Sequence, residues 1–132
     1  MGQLITVADL VARRPFWRAK GQTVVWTNGC FDLLHPGHVR GLQDARSRGD
    51  VLIVGVNSDR AVRAKKGPSR PVMPESYRAE MVAALQCVDF VVIVDDNTPA
   101  QVLNELRPDV HCKSDEQPKD SRHGDQFAQQ LQ

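Results

Sequence analysis

Short runs of β-branched, aromatic and other apolar residues alternate along the chain with segments that have apolar residues at helical spacing. Three runs lie at 23–27, 51–56 and 90–94, and a shorter one lies at 109–113. The run at 51–56 is apolar without alternation, which is typical of a strand covered on both faces and therefore of a parallel sheet. We expect four parallel strands.

Helix signals lie between these runs. Thr6 and Asp9 resemble a capping box, and the helix that they begin is expected to end at Pro15. A second helix is expected to begin at Pro36 and to end with Gly49 as its C-cap. A third helix is expected at about 74–86. A fourth is expected to begin at 98 and to be stopped by Pro108.

Two polar segments do not fit this alternation. The segment 57–74 is rich in Lys, Arg, Gly and Pro, so it is expected to be an irregular loop that contacts substrate. The last segment, 114–132, has almost no apolar residues and is expected to form a weakly ordered tail.

Strands that alternate with helices at these distances predict right-handed βαβ units. We therefore expect an α/β fold, a Rossmann-like doubly wound parallel sheet in a single domain. The expected organisation is a lead-in helix at 1–20, the α/β domain at 21–113 and the polar tail at 114–132. A chain of 132 residues can bury one good core.

Composition limits the function classes. The 17 Lys and Arg residues nearly balance the 16 Asp and Glu residues, so no global field favours nucleic acid or a membrane surface. Three cysteines without CxxC spacing argue against a disulfide framework or a zinc site. With no signal-peptide pattern and no long apolar segment, a cytoplasmic location is expected.

The strongest chemical signal is the sequence His35-Pro36-Gly37-His38, directly after the first expected strand. At the first turn of a helix, the imidazoles would lie beside unpaired N–H groups and the positive end of the helix dipole, which together form an anion site. The alternatives are a helix start with a buried core histidine, or a zinc site, although the HExxH pattern is absent.

A family resemblance rests on these residues. Thr27-Asn28-Gly29-Cys30-Phe31-Asp32 followed by His35-Pro36-Gly37-His38 resembles the signature of the cytidylyltransferase-like nucleotidyltransferases. Residues 22–113 most resemble the adenylyltransferase domain of the heptose-phosphate pathway, which makes an ADP-activated heptose. The middle of that domain is matched by Val56-Asn57-Ser58-Asp59, Arg70-Pro71, Arg78 and Val88-Asp89.

The resemblance implies transfer of AMP from ATP, with Mg²⁺, to a phosphorylated sugar such as a heptose 1-phosphate. It implies catalytic roles for His35, His38 and Lys66, with Lys65 as an alternative to Lys66, and no metal ligands. The implied nucleotide-binding residues are Thr27, Asn28, Gly29, Phe31, Asp32, Gly37, Arg78 and Lys113. The resemblance also allows a homodimer.

Some of these residues have structural alternatives. Asp32 is equally consistent with a turn-forming role, and Arg78 with a surface salt bridge. Cys30 is expected to be a packing residue.

The C-terminal part of the chain departs from the family pattern. A Lys-Gly-Gly-Asp-Tyr-like turn is replaced by Lys113-Ser114-Asp115-Glu116-Gln117, and a later Ser-Thr-Thr segment that holds the outer phosphates is missing. We expect the chain to be incomplete, the alternative being loss of this phosphate clamp. Two other functions stay open: cytidylyl transfer from CTP to a polyol or amino-alcohol phosphate, and nucleotide binding without turnover.

Overall fold

A five-stranded parallel sheet with helices on both faces forms the fold in the computed structural model, which describes residues 2–113. The strand order is β1-β4-β3-β2-β5. The strands are β1 (Gln3–Leu4), β2 (Val24–Gly29), β3 (Val51–Asn57), β4 (Phe90–Val94) and β5 (Val110–Lys113). The predicted doubly wound α/β fold is confirmed, and the tail predicted at 114–132 lies outside the described residues.

The helices are α1 (Val7–Ala19), α2 (Pro36–Arg46), α3 (Asp59–Lys66), α4 (Glu75–Ala83) and α5 (Thr98–Gln101), which continues as a π-helical turn at Val102–Leu106. Helix α2 connects β2 to β3, which pairs with one edge of β2. Strand β5 pairs with the other edge of β2. The order of the strands therefore reverses between β2 and β5, and in such sheets ligands bind at the reversal, beyond the carboxyl ends of the strands.

Each face of the sheet has its own apolar cluster. On one face, Leu42 of α2 and Val82 of α4 pack against residues such as Val54. On the other face, Leu10 of α1 and Leu106 pack with other residues around Trp26. Burying each large aliphatic side chain contributes about 1.5–3 kcal/mol, so these clusters hold the sheet and fix the position of its carboxyl edge.

The N-terminal part differs from the prediction in two ways. The short edge strand β1 was not predicted, because two residues carry no recognisable pattern; it is held to β4 by backbone hydrogen bonds such as the one that Ile5 N–H donates to Val91. Helix α1 also continues through Pro15 to Ala19. Its last turn is retained because Trp17 packs against Phe90, with ring centroids 5.6 Å apart.

The segment 57–74 was predicted to be an irregular loop, but its first half forms helix α3. Ser58 caps the helix by accepting a hydrogen bond from the Ala61 N–H, and Gly67 ends it with φ of 98°. Val62 is the one residue of this helix that is buried, and most of the other residues of the helix are polar.

The predicted C-cap of α2 is also wrong, since the helix ends at Arg46 with Ser47 as its cap. Gly49 serves close packing instead, because a Cβ there would lie 2.6 Å from Val25 Cγ2. No helix among residues 2–113 is long and apolar enough to span a membrane.

Candidate functional site

The two histidines of the HPGH sequence face each other at the first turn of α2. Their ring centroids are 4.0 Å apart and the ring planes are inclined by 40°. His35 is the N-cap and is exposed, whereas His38 is 7% exposed and packs beside Phe31. Pro36, at the first helical position, fits there because it has no N–H to pair.

Backbone hydrogen bonds fix which ring nitrogen carries the proton. His35 Nδ1 accepts from the Gly37 N–H at 3.0 Å, and His38 Nδ1 accepts from the His35 N–H at 3.2 Å. A nitrogen that accepts a hydrogen bond carries no proton, so in each neutral ring the proton is on Nε2. Both imidazoles are therefore arranged as Nε2–H donors.

The same hydrogen bonds show that the N–H groups at the first turn of α2 are paired, although the sequence analysis had expected them to be unpaired. The N–H groups of the first turn are already paired, because Gly37 donates to His35 Nδ1 and His38 donates to the His35 carbonyl at 2.9 Å. An anion at this helix end would meet the helix dipole and the imidazole N–H groups rather than unpaired backbone donors. The helix has no acidic residue in its first turn to oppose such an anion.

A cleft lies beside His38 where the strand order reverses between β2 and β5. It is lined by Thr27, Phe31, His38, Gly41, Leu42, Cys112 and Lys113. Four residues predicted from the sequence meet at this cleft: Thr27, Phe31 and His38 from the segment 27–38, and Lys113 from the end of β5.

Three lining residues were missed by the sequence analysis. Gly41 and Leu42 are three and four positions after His38 on α2, so helical spacing could have identified them. Cys112 pairs with Thr27 across the sheet, which requires the register of β5. Burial raises the pKa of the Cys112 thiol, which keeps it protonated at neutral pH.

The predicted glycines and Asn28 lie at the carboxyl end of β2 and in α2. Gly37 is required by the folded-back ring of His35, because a Cβ there would lie 2.7 Å from His35 Cε1. Asn28 Oδ1 accepts the indole N–H of the buried Trp26 at 3.2 Å, and Gly29 ends β2. Contact of Asn28 and Gly29 with a nucleotide stays a prediction.

Arg78 was predicted to bind the nucleotide, with a surface salt bridge as the alternative. It is 1% exposed, so the alternative of a surface salt bridge is wrong. It donates to the carbonyl oxygens of Cys30 and Asn57 and to the carboxylate of Asp59, each at 2.7 Å. Asp32 is 8% exposed and also binds protein groups. These contacts favour structural roles for both side chains, and direct nucleotide binding by either is not supported by them.

Lys66 lies in the last turn of α3 with its side chain exposed, next to Lys65. It is not among the residues that line the cleft. A contact of Lys66 with phosphate therefore stays a prediction.

Among residues 2–113, no group of three or more His, Cys, Asp or Glu side chains is arranged to hold a metal ion.

Comparisons with known proteins point to one family. The cytidylyltransferase-like family profile matches residues 26–130. The chain is 55% identical over 96 residues to the bifunctional protein HldE of Syntrophotalea carbinolica, a match that covers 73% of this chain and 20% of that protein. It is 51% identical over 112 residues to the bifunctional protein HldE of Methylobacillus flagellatus, which covers 85% and 23%.

The chain thus spans about a fifth to a quarter of the length of these curated relatives. A crystal structure is similar over most of both chains, that of the lipopolysaccharide core biosynthesis protein from Thermoplasma volcanium. The two share 26% identity with a TM-score of 0.67, covering 84% of this chain and 89% of that one.

Proposed function

The chain belongs to the cytidylyltransferase-like family, and we propose that it transfers AMP from ATP to a sugar phosphate and releases pyrophosphate. The observation that carries the proposal is the pair of imidazoles at the amino end of α2. Both rings accept a backbone N–H through Nδ1. His38 lines the cleft at the reversal of the strand order, and the centroid of the His35 ring lies 4.0 Å from that of His38. This arrangement suits a phosphate group on which negative charge increases during reaction.

The relatives support the choice of acceptor. The similar crystal structure is described as a lipopolysaccharide core biosynthesis protein, and the closely similar sequences are named bifunctional HldE proteins. Together with the resemblance of residues 22–113 to an adenylyltransferase domain for heptose phosphates, these names favour a heptose 1-phosphate or a similar sugar phosphate.

The reaction needs alignment more than acid–base catalysis. A sugar phosphate carries nearly two negative charges at neutral pH, since its second pKa is near 6, so its oxygen attacks without a general base. A bond forms from that oxygen to the α-phosphorus of ATP, and the bond from the α-phosphorus to the oxygen bridging to the β-phosphorus breaks. Pyrophosphate leaves with that oxygen and its electron pair.

The chain's groups act on the charges of this step. His35 and His38 would donate their Nε2–H groups to oxygens of the reacting phosphate, and the dipole of α2 adds a positive potential there. Lys113, at the end of β5, lines the cleft and would offset phosphate charge there. Lys66 would reach the phosphates from the end of α3.

Mg²⁺ would reduce the charge of the triphosphate when bound to it. A homodimer and a cytoplasmic location are further proposals that depend on the family resemblance.

Pyrophosphate release tests the proposal. ATP and CTP are each combined with a panel of sugar, polyol and amino-alcohol phosphates, using this chain and a longer protein that contains it. ATP with a heptose 1-phosphate is expected to give the highest rate. A preference for CTP with a polyol phosphate would support the cytidylyltransferase alternative. Nucleotide binding without pyrophosphate release in any combination would support a binding module.

A further inference from the structure

A buried arginine joins four separate parts of the chain beside the site. The guanidinium of Arg78 donates to the Met73 carbonyl at 2.8 Å, in addition to its bonds with Cys30, Asn57 and Asp59. These partners lie in the turn after β2, at the end of β3, at the start of α3 and in the loop before α4. A planar donor with several fixed N–H groups is suited to holding such segments in one arrangement.

Asp32 holds the same loop from the other side. Its carboxylate accepts the N–H groups of Val72 and Met73, both at 2.9 Å, and Arg70 Nη1 lies 3.7 Å from Oδ2. Burial acts to raise the pKa of Asp32, but these N–H groups and the charges of Arg78 and Arg70 lower it overall. The carboxylate is therefore ionised at neutral pH.

The two side chains meet at Met73, whose N–H is bound by Asp32 and whose carbonyl is bound by Arg78. Segment 70–73 is thereby fixed against the turn at 30–32, three positions before His35. Phe31, in the same turn, has φ of 51° and lines the cleft. Any shift of this turn would therefore affect both the cleft wall and the chain that leads to His35.

We propose that Asp32 and Arg78 are positioning residues, which hold segment 70–73 so that the guanidinium of Arg70 is presented to a substrate phosphate. This deepens the function proposed above and rests on it. Arg70 is suited to the task because its side chain is 48% exposed and its ion pair with Asp32, at 3.7 Å, is too long for a hydrogen bond. Its N–H groups thus stay able to bind a phosphate in bidentate geometry.

The chain offers a matched control at the opposite edge of the sheet. There Arg14, 6% exposed, donates to the carbonyl oxygens of Leu106 and Arg107 and pairs with Asp109 at 3.2 Å. Asp109 also accepts the Val24 N–H at 2.8 Å. Asp109→Asn thus weakens a similar Arg–Asp network, but one at the amino ends of β2 and β5, away from the cleft.

The test compares Asp32→Asn with Asp109→Asn in thermal unfolding, in KM for ATP and for the sugar phosphate, and in the rate of trypsin cleavage after Lys66. Both variants are expected to unfold at lower temperature. Only Asp32→Asn is expected to raise KM for a phosphate-bearing substrate, by about tenfold or more, and to speed cleavage after Lys66 by a similar factor. Equal changes in KM or in cleavage for both variants would overturn the proposal.

The role of Arg70 is tested by Arg70→Ala, Arg70→Lys and the double variant Asp32→Asn/Arg70→Ala. The two single substitutions of Arg70, a half-exposed residue, keep the test open if Asp32→Asn does not fold. Arg70→Ala is expected to raise KM by about tenfold and Arg70→Lys by less, and Asp32→Asn should add less than about twofold to Arg70→Ala. If the two substitutions act independently, so that their fold changes in KM multiply in the double variant, the proposal that Asp32 acts through Arg70 would be contradicted.

The substrate whose KM rises in the Arg70 variants shows whether Arg70 binds a phosphate of ATP or the phosphate of the sugar. If neither the wild-type chain nor the longer protein that contains it has turnover, the proposed function fails. Equilibrium binding of MgATP and of the sugar phosphate to the same variants, with the cleavage rates, then decides the positioning proposal separately.

Discussion

At the scale of single residues, the site depends on a short set of mutual contacts among His35, Gly37 and His38. Each imidazole accepts a backbone N–H through Nδ1, and Gly37 leaves the space that the His35 ring occupies. In this arrangement Nε2 is the nitrogen of each ring that we propose donates to the reacting phosphate.

Replacing His38 by Ala tests that role. We expect a fall in kcat/KM of at least about a hundredfold, because a donor to the reacting phosphate is lost. The free energy of unfolding should fall by only about 1 kcal/mol, the value of the lost bond to the His35 N–H. His111→Ala is the control, because His111 is a partly buried residue of β5 that does not line the cleft. A comparable loss of turnover in His111→Ala, or a large loss of stability with normal turnover in His38→Ala, would argue for a core histidine.

Gly37→Ala separates the geometry of the site from the stability of α2. An added Cβ would lie 2.7 Å from His35 Cε1, so the ring must move, whereas the helix itself gains up to about 1 kcal/mol from replacing Gly by Ala. We expect kcat to fall by about tenfold or more while the melting temperature is unchanged or higher. Unaltered kcat would show that the position of the His35 ring is unimportant.

The lowered pKa of Asp32 leads to a prediction of how stability depends on pH. Because its pKa is lowered in the folded protein from the ordinary value of 3.8, its stabilising contribution is complete above that value and is lost as pH falls through the lowered value. The difference in free energy of unfolding between wild type and Asp32→Asn should therefore shrink between about pH 5 and about pH 2. Denaturant unfolding measures it, and a difference that is constant or grows would contradict the assignment.

At the scale of helices and strands, α3 shows both the strength and the limit of sequence analysis. Its start at Ser58-Asp59 and its end at Lys66-Gly67 carry ordinary cap signals, but Val62 alone is buried, so the apolar pattern was too weak to predict a helix. The HPGH turn was predictable because its contacts join residues at most three positions apart. The contacts of Asp32 and Arg78 span 40 and 48 positions, and no local pattern could indicate them.

The position of α3 leads to a prediction for Lys66. Its side chain is exposed at the end of this helix, and we propose that it contacts the triphosphate. Lys66→Ala should therefore raise KM for ATP by about fivefold or more and KM for the sugar phosphate by less. Steady-state kinetics with each substrate varied in turn measure both values. Arg63→Ala, on the same helix, is the control, and equal changes in both KM values for Lys66→Ala would contradict a role at the triphosphate.

At the scale of the whole molecule, the reversal of strand order between β2 and β5 determines where the site lies. The alternation of strands and helices predicted the doubly wound sheet, and the carboxyl edge followed from it. The cleft itself needed the pairing of β5 with β2, since that pairing brings Cys112 and Lys113 opposite Thr27 and Asn28. Strand register over such distances depends on the packing of both sheet faces and is not encoded in any one segment.

Attack on the α-phosphorus of ATP at the cleft beside His38 can be followed by the transfer of a radioactive label. ATP labelled at the α-phosphate or at the γ-phosphate is incubated with a heptose 1-phosphate and Mg²⁺, and the products are separated. We predict that the α label appears in the sugar-linked product, the γ label appears in pyrophosphate, and both transfers are nearly abolished in His38→Ala. Recovery of the γ label on the sugar, or an α label that never leaves the nucleotide pool, would contradict nucleotidyl transfer.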